Sequence, residues 1–223
     1  MTLKTTRPEK VTQTMQARRA KILWHAHDLL AHSEDSDFSL RNLATAAEVT
    51  VPTIYNLIGS KSDILFAMQE DFIVRIEVEV SEFTRDEGLE MAEAIVVRAV
   101  EMIAADERYF RSAILAQDKV MRAHDVTSGA KEIGNRAAAM QTAAVTRVQQ
   151  TKMMQGDISA DIIGRQIFRN YQLASQEWVH RRISLEQFKH RALLGVYICL
   201  MADANDALKQ TLKDKIHWVD ARC

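Results

Sequence analysis

The chain has 223 residues, a formal net charge of −1 at pH 7, and only seven glycines and two prolines to interrupt helices. No apolar run approaches the roughly 20 residues of a membrane-spanning helix, and the N-terminal residues lack the apolar core of a signal peptide. These features exclude membrane-spanning classes, so a cytoplasmic, all-α protein is expected. The two cysteines, Cys199 and Cys223, are expected to be reduced thiols rather than a disulfide.

The near-neutral total charge conceals a strongly basic N-terminal end. Residues 1–21 contain six basic residues and one acidic residue, Glu9. Such a cluster is typical of a segment that lies against nucleic-acid phosphates. Residues 1–12 are polar, and two interpretations stay open: a flexible arm that enters a DNA minor groove, or a tail without function. A first helix, RAKILWHAHDLL, follows and ends at Leu30.

Residues 39–61, SLRNLATAAEVTVPTIYNLIGSK, predict two short helices joined by a tight turn. Ser39 can cap the first helix, whose apolar stripe is formed by Leu40, Leu43, Ala44 and Ala47. The small side chain of Ala44 would let a second helix cross closely, and Val49 closes the turn with an apolar side chain. This pattern is that of a helix-turn-helix.

The second short helix is predicted to present a reading face to DNA. Thr50 can cap it, and Pro52 is tolerated in its first turn because the missing N–H has no helical partner there. Ile54 and Ile58 point inward. The outer face then combines apolar, hydroxyl and amide groups suited to base edges and phosphates: Val51, Pro52, Thr53, Tyr55 and Asn56.

Lys61 begins the next helix, after a left-handed exit at Gly59 and a capping box formed by Ser60 and Asp63. A cation in the first turn opposes the helix macrodipole by roughly 0.3 to 1 kcal/mol. A phosphate docked there would make both the lysine and the free N–H groups favourable. Because Lys61 directly follows a helix-turn-helix, a phosphate contact is preferred to an ordinary solvated lysine.

From about Arg18 to Leu65, these segments resemble the TetR family of transcriptional regulators, including the Y-x(5)-K spacing of Tyr55 and Lys61. The resemblance implies an N-terminal three-helix DNA-binding domain and a larger C-terminal helical domain for ligand binding and dimerisation. It places Pro52, Thr53 and Asn56 at bases. It places Thr50, Tyr55 and Lys61 at DNA phosphates, and Arg41 near the DNA groove.

Two positions depart from the family pattern. Glu48 stands where the family usually has glycine in the turn, so a negative charge lies near the DNA side. The acidic residues Glu34, Asp35 and Asp37 replace the usual glycine-containing loop after the first helix. Neither departure removes an expected DNA contact.

The remainder of the chain is predicted to be a helical bundle. We assign residues 1–60 to the N-terminal arm and DNA-binding domain, and residues 61–223 to the ligand-binding and dimerisation domain. A long helix runs from Lys61 to about Phe83. Further helices are expected at about Leu89 to Ala105, Tyr109 to Gln117, Lys131 to Thr151, Ala160 to Arg182 and Leu185 to Leu212.

The resemblance implies that the last two predicted helices form a four-helix bundle with those of a second copy. The first carries an apolar stripe of Ile163, Ile167, Tyr171, Ala174 and Trp178. The second carries one of Leu185, Phe188, Ala192, Val196, Cys199, Leu200 and Ala204. Periodicity does not distinguish a dimer face from a core face. A dimer also fits DNA geometry, because paired recognition helices about 34 Å apart read a palindrome.

Methionines and aromatic residues in the C-terminal part favour a deformable pocket for a hydrophobic or amphipathic small molecule. The candidate ligand-binding residues are Met102, Phe110, Met121, Met140, Phe168, Tyr171 and Gln172. The alternative is that these side chains belong to an ordinary helical core.

Together with these features, the TetR resemblance implies a ligand-responsive regulator that binds double-stranded DNA at a palindromic operator as a homodimer. Repression, with release by the effector, is expected because it is the family's usual mode. The motifs H-E-x-x-H, G-x-S-x-G, G-x-G-x-x-G and the P-loop are absent. No enzyme activity, cofactor or metal site is therefore expected. A DNA-binding regulator controlled by a protein partner is the alternative, and a helical carrier or enzyme is the third.

Overall fold

The computed structural model of the chain describes residues 7–84, 87–123 and 128–223, without the side chains of residues 7–12, 121–123 and 128–131. Ten helices are found within these residues. They are α1 (Arg7–His32), α2 (Leu40–Ala46), α3 (Val51–Leu57), α4 (Lys61–Val80), α5 (Gly88–Ala105), α6 (Glu107–Ala123), α7 (Ser128–Gln150), α8 (Ala160–Val179), α9 (Leu185–Met201) and α10 (Asp206–Asp220). The predicted all-α fold class is confirmed.

Helix α1 begins at Arg7, earlier than the sequence predicted. Pro8 lies in its first turn, where a missing backbone N–H costs no helical hydrogen bond. The predicted flexible arm at residues 1–12 is therefore wrong for residues 7–12, which are helical. Residues 1–6 lie outside the described residues.

The helix predicted from Leu185 to Leu212 is two helices. The chain turns between Met201 and Asp206, and Asn205 caps α10 by accepting a hydrogen bond from the Leu208 N–H at 3.0 Å. The buried carboxylate of Asp203 fixes this turn, because it accepts hydrogen bonds from the backbone N–H groups of residues 156, 157 and 158 at 3.0, 2.9 and 3.3 Å. Such bonds hold the turn against the loop between α7 and α8.

The helices form two compact units that differ from the predicted division at residue 60. The first unit comprises Met1–Asp71 and Asp106–Ala130, and the second Phe72–Ala105 and Lys131–Cys223. Helix α6 belongs to the first unit because Tyr109 and Ala116 are buried in the same core as Ile22 and Leu30 of α1. The chain passes from the first unit to the second within α4.

The second unit is centred on the packing of α8 against α9. Trp178 and Phe188 are fully buried, and their rings stack 5.8 Å apart. Glycines permit close approach of helices. A Cβ at Gly164 would lie 2.6 Å from the Thr142 backbone, and one at Gly195 would lie 2.6 Å from the Asn170 Cβ.

Most residues of the two stripes predicted for the dimer face are core residues within one chain. Ile163, Ile167, Ala174, Trp178, Phe188, Ala192, Val196, Leu200 and Ala204 are all buried. These stripe residues therefore belong to the core of the chain, because each helix must first bury an apolar face inside its own unit, and the four-helix bundle with a second copy stays a prediction. None of the described helices is long and apolar enough to cross a membrane.

Candidate nucleic-acid interface

Helices α2 and α3 form the predicted helix-turn-helix, and both begin at the predicted caps. The Ser39 hydroxyl accepts a hydrogen bond from the Asn42 N–H at 3.0 Å. The Thr50 hydroxyl accepts one from the Thr53 N–H at 3.3 Å. Each cap satisfies a backbone donor that the helix itself leaves unpaired. Ile54 is fully buried and anchors α3 on the core of the first unit.

The backbone conformation of the turn between α2 and α3 explains why the family usually has glycine at position 48. Glu48 adopts a left-handed backbone conformation with φ of 56°, which costs a non-glycine residue about 1 to 2 kcal/mol. Its side chain accepts a hydrogen bond from the Lys21 ammonium at 2.5 Å. That bond also lowers the pKa of Glu48.

The outer face of α3 is open to solvent. Pro52, Tyr55 and Asn56 are exposed, and Arg41 on α2 is exposed too. Val51 and Thr53 are half-buried. The Thr53 hydroxyl lies 2.8 Å from the Thr50 hydroxyl, so part of its hydrogen-bonding capacity is used within the helix start.

The start of α4 also has the predicted geometry. Gly59 has a positive φ of 124°. The Asp63 carboxylate accepts hydrogen bonds from the N–H and hydroxyl of Ser60, each at 2.7 Å, and the Ser60 hydroxyl accepts one from the Asp63 N–H at 3.4 Å. This capping box fixes the position of Lys61 just after α3.

Lys61 has a partner that the sequence analysis did not identify. Its ammonium forms an ion pair with the Asp37 carboxylate and lies 5.0 Å from the centre of the Phe38 ring. Only 26% of its side-chain surface is exposed. Burial lowers the pKa of Lys61, and the nearby charge of Lys119 adds to this effect. The sequence analysis noted Asp37 only as a departure from the family pattern, since residues 24 positions apart give no local signal of a contact.

Solved structures share this arrangement of helices. SmeT, the repressor of the Stenotrophomonas maltophilia multidrug efflux pump SmeDEF, superposes with a TM-score of 0.66 and 18% identity, covering 87% of this chain and 94% of its own. A TetR transcriptional regulator from Rhodococcus sp. RHA1 superposes with a TM-score of 0.63 and 16% identity, covering 84% of this chain and 97% of its own. NalD, the secondary repressor of the Pseudomonas aeruginosa multidrug efflux pump MexAB-OprM, superposes with a TM-score of 0.58 and 17% identity, covering 86% of this chain and 99% of its own.

This chain has the fold of the TetR regulators. No family model matches the sequence, and no curated protein matches it. The shared TetR fold extends over both compact units, since the superposition covers more than four-fifths of the chain.

The second unit contains a groove of about 290 Å³, which lies within residues 61–223, where the ligand site was expected. The groove combines apolar and charged side chains: Glu77, Val80, Ser81, Met91, Arg136, Ala139, Met140, Ala143 and Arg147. Arg136 donates to Glu77 at 2.7 Å, and Arg147 donates to the Phe83 carbonyl at 2.7 Å. The charged side chains were missed because they come from residues far apart in sequence.

The candidate ligand-binding residues whose side chains are described lie on helices α5, α6, α7 and α8. Of their described side chains, only Met140 lines the groove. Phe110 packs on the core of the first unit, and Met102 is half-buried on α5. Phe168 stacks on Tyr171 at 6.4 Å, while Gln172 is exposed. The side chain of Met121 lies outside the described part of the chain.

Proposed function

We propose that the protein is a TetR-family repressor that acts in the cytoplasm, binds a palindromic operator as a homodimer and is released by a small hydrophobic or amphipathic effector. The observation that carries this proposal is the capped helix α3, the second helix of the helix-turn-helix, which exposes Pro52, Tyr55 and Asn56. Those side chains fit direct readout in a major groove. The repressor roles of SmeT and NalD support it.

Selection of binding sites from a random DNA library at near-physiological salt tests this function. We expect enrichment of a palindrome, with binding that weakens steeply as salt increases, since phosphate contacts release counter-ions. Failure to enrich any sequence would contradict the proposal and favour regulation by a protein partner or a carrier function.

Two substitutions distinguish the proposed base contacts from the proposed phosphate contacts. Asn56→Ala should relax base preference at one operator position by about 1 to 3 kcal/mol, because an amide reads a base edge. Lys61→Ala should weaken all sequences alike and reduce the salt slope by about one unit. Anisotropy titrations on the selected operator and single-base variants measure both effects. Uniform weakening by both variants would show that Asn56 does not read bases.

We propose that the dimer uses the outer face of α8 and α9. Ile162 and Leu173 on α8 are 62% and 65% exposed, and Ile198 on α9 is 53% exposed. Ile162 and Leu173 are about three helical turns apart, so they lie on one face. Large apolar side chains exposed on two adjacent helices are typical of a protein interface.

The effector is proposed to bind the groove beside α4. SmeT has been solved in complex with triclosan, which supports a hydrophobic effector of that chemical type. Glu77 and Val80 of α4 line the groove, whereas Lys61 begins the same helix. A ligand that shifts α4 would therefore move the proposed phosphate contact and lower operator affinity.

Effector and operator should weaken each other by the same factor, corresponding to about 1 to 3 kcal/mol. A panel of hydrophobic and amphipathic compounds is screened by thermal shift, and the strongest binder is titrated with and without operator. Met140→Trp, which fills the groove, should abolish the effect of the compound while leaving operator binding intact. Met153→Trp is the control, because Met153 is 44% exposed and is not a groove residue. Equal compound affinity with and without operator would refute the coupling.

A further inference from the structure

Two lysines of the first unit converge on the loop between α1 and α2. The Lys61 ammonium contacts the Asp37 carboxylate, and the Lys119 ammonium donates to the Asp35 carbonyl at 2.5 Å. The Phe38 ring lies beside Lys61 at 5.0 Å. Asp37 and Phe38 therefore contact the lysine that is proposed to bind a DNA phosphate.

The loop is built to hold the Asp37 carboxylate in place. Ser36 adopts a left-handed conformation with φ of 50°. The Asp37 N–H donates to the Ser33 hydroxyl at 3.0 Å, and the Asp37 carboxylate accepts from the Phe38 N–H at 2.8 Å. These bonds orient the carboxylate towards Lys61 independently of the ion pair itself.

The same arrangement occurs at the turn of the helix-turn-helix, where Glu48 binds Lys21. Asp37 and Glu48 are both acidic residues that the sequence analysis singled out. In each case a carboxylate in the segment between two helices has a lysine partner on a helix that is distant in the sequence.

We propose that Asp37 is an internal counter-ion of Lys61, which a DNA backbone phosphate must displace before Lys61 can bind it. This inference rests on the proposed function and adds a residue that sets its affinity. The pair is displaceable because it is partly exposed, with 26% of the Lys61 side chain and 44% of the Asp37 side chain accessible. Such pairs contribute little in water, and a phosphate anion offers the same lysine an equivalent partner.

Asp37→Asn should tighten binding to a random-sequence duplex of about 24 base pairs by about three- to tenfold, because Lys61 no longer has to leave a carboxylate. The operator should gain by the same factor, since Lys61 reads no base. Asparagine keeps an oxygen that accepts from the Phe38 N–H, so the loop retains its hydrogen bond. Asp37→Ser is the second variant should the first unfold, as judged by circular dichroism.

Glu34→Gln is the matched control, because it makes the same charge change in the same loop at an exposed side chain. It should alter affinity by less than about twofold. The double variant Asp37→Asn with Lys61→Ala should lose the gain, since the gain acts through Lys61.

An equal gain for Glu34→Gln and Asp37→Asn would overturn the inference and leave only a general charge effect. A gain that persists when Lys61 is alanine would overturn it as well. If the wild-type protein binds DNA and Asp37→Asn gives no gain, this inference alone fails. If neither the wild type nor any variant binds DNA at low salt, the proposed function fails together with it.

Discussion

Trp178→Ala is expected to lower the free energy of unfolding by about 3 to 5 kcal/mol. Trp178 is fully buried between α8 and α9, where its ring stacks on Phe188 at 5.8 Å. Truncation would remove a large apolar side chain and leave a cavity that the neighbouring helices cannot close. Gly164 and Gly195 already bring the helix backbones into close contact. Urea unfolding followed by circular dichroism measures the change.

Trp218→Ala provides the matched control, because the same side chain is removed from the same unit. Trp218 is 53% exposed on α10, where it contacts His190 and the Arg222 guanidinium. Its loss should cost less than about 1 kcal/mol. Equal destabilisation by the two variants would show that the α8–α9 core is not the main source of stability.

The parts predicted correctly from the sequence depend on residues close together in the chain. The caps at Ser39 and Thr50 and the box formed by Ser60 and Asp63 each join residues three positions apart. Local hydrogen-bonding chemistry of this kind can be read directly from residue type and spacing.

The errors come from contacts between distant residues. The break between α9 and α10 was missed because Leu200, Ala204, Leu208 and Leu212 continue one buried stripe across it. Only Asn205, as a helix cap, marked the break locally. The carboxylate of Asp203, which fixes the turn, meets partners 45 to 47 positions away.

The proposed dimer face shows a related difficulty. Apolar spacing correctly identified the stripes that α8 and α9 bury, but it gave no information on which chain covers them. In the structure, the predicted stripes are mostly buried within the chain, while Ile162, Leu173 and Ile198 remain exposed on the proposed dimer face. The groove could not be predicted from spacing either. Its charged residues Glu77 of α4 and Arg136 of α7 form a hydrogen bond although they are 59 positions apart in the sequence.

Leu173→Glu should convert the dimer to a monomer and weaken operator binding by at least about 100-fold. Leu173 is 65% exposed in the chain, and a carboxylate there would be desolvated without a partner in the proposed interface. Separated subunits must then bind each half-site alone and lose the benefit of joint binding. Light scattering gives the mass, and anisotropy gives the operator affinity.

Val78→Glu is the control for this substitution, since Val78 is 63% exposed on α4 and the same charge is added in the same unit. It should remain dimeric and bind operator within about threefold of wild type. If Leu173→Glu stayed dimeric with unchanged affinity, the interface would lie elsewhere. If it became monomeric yet bound operator normally, a single helix-turn-helix would be sufficient, and the palindromic model would have to be abandoned.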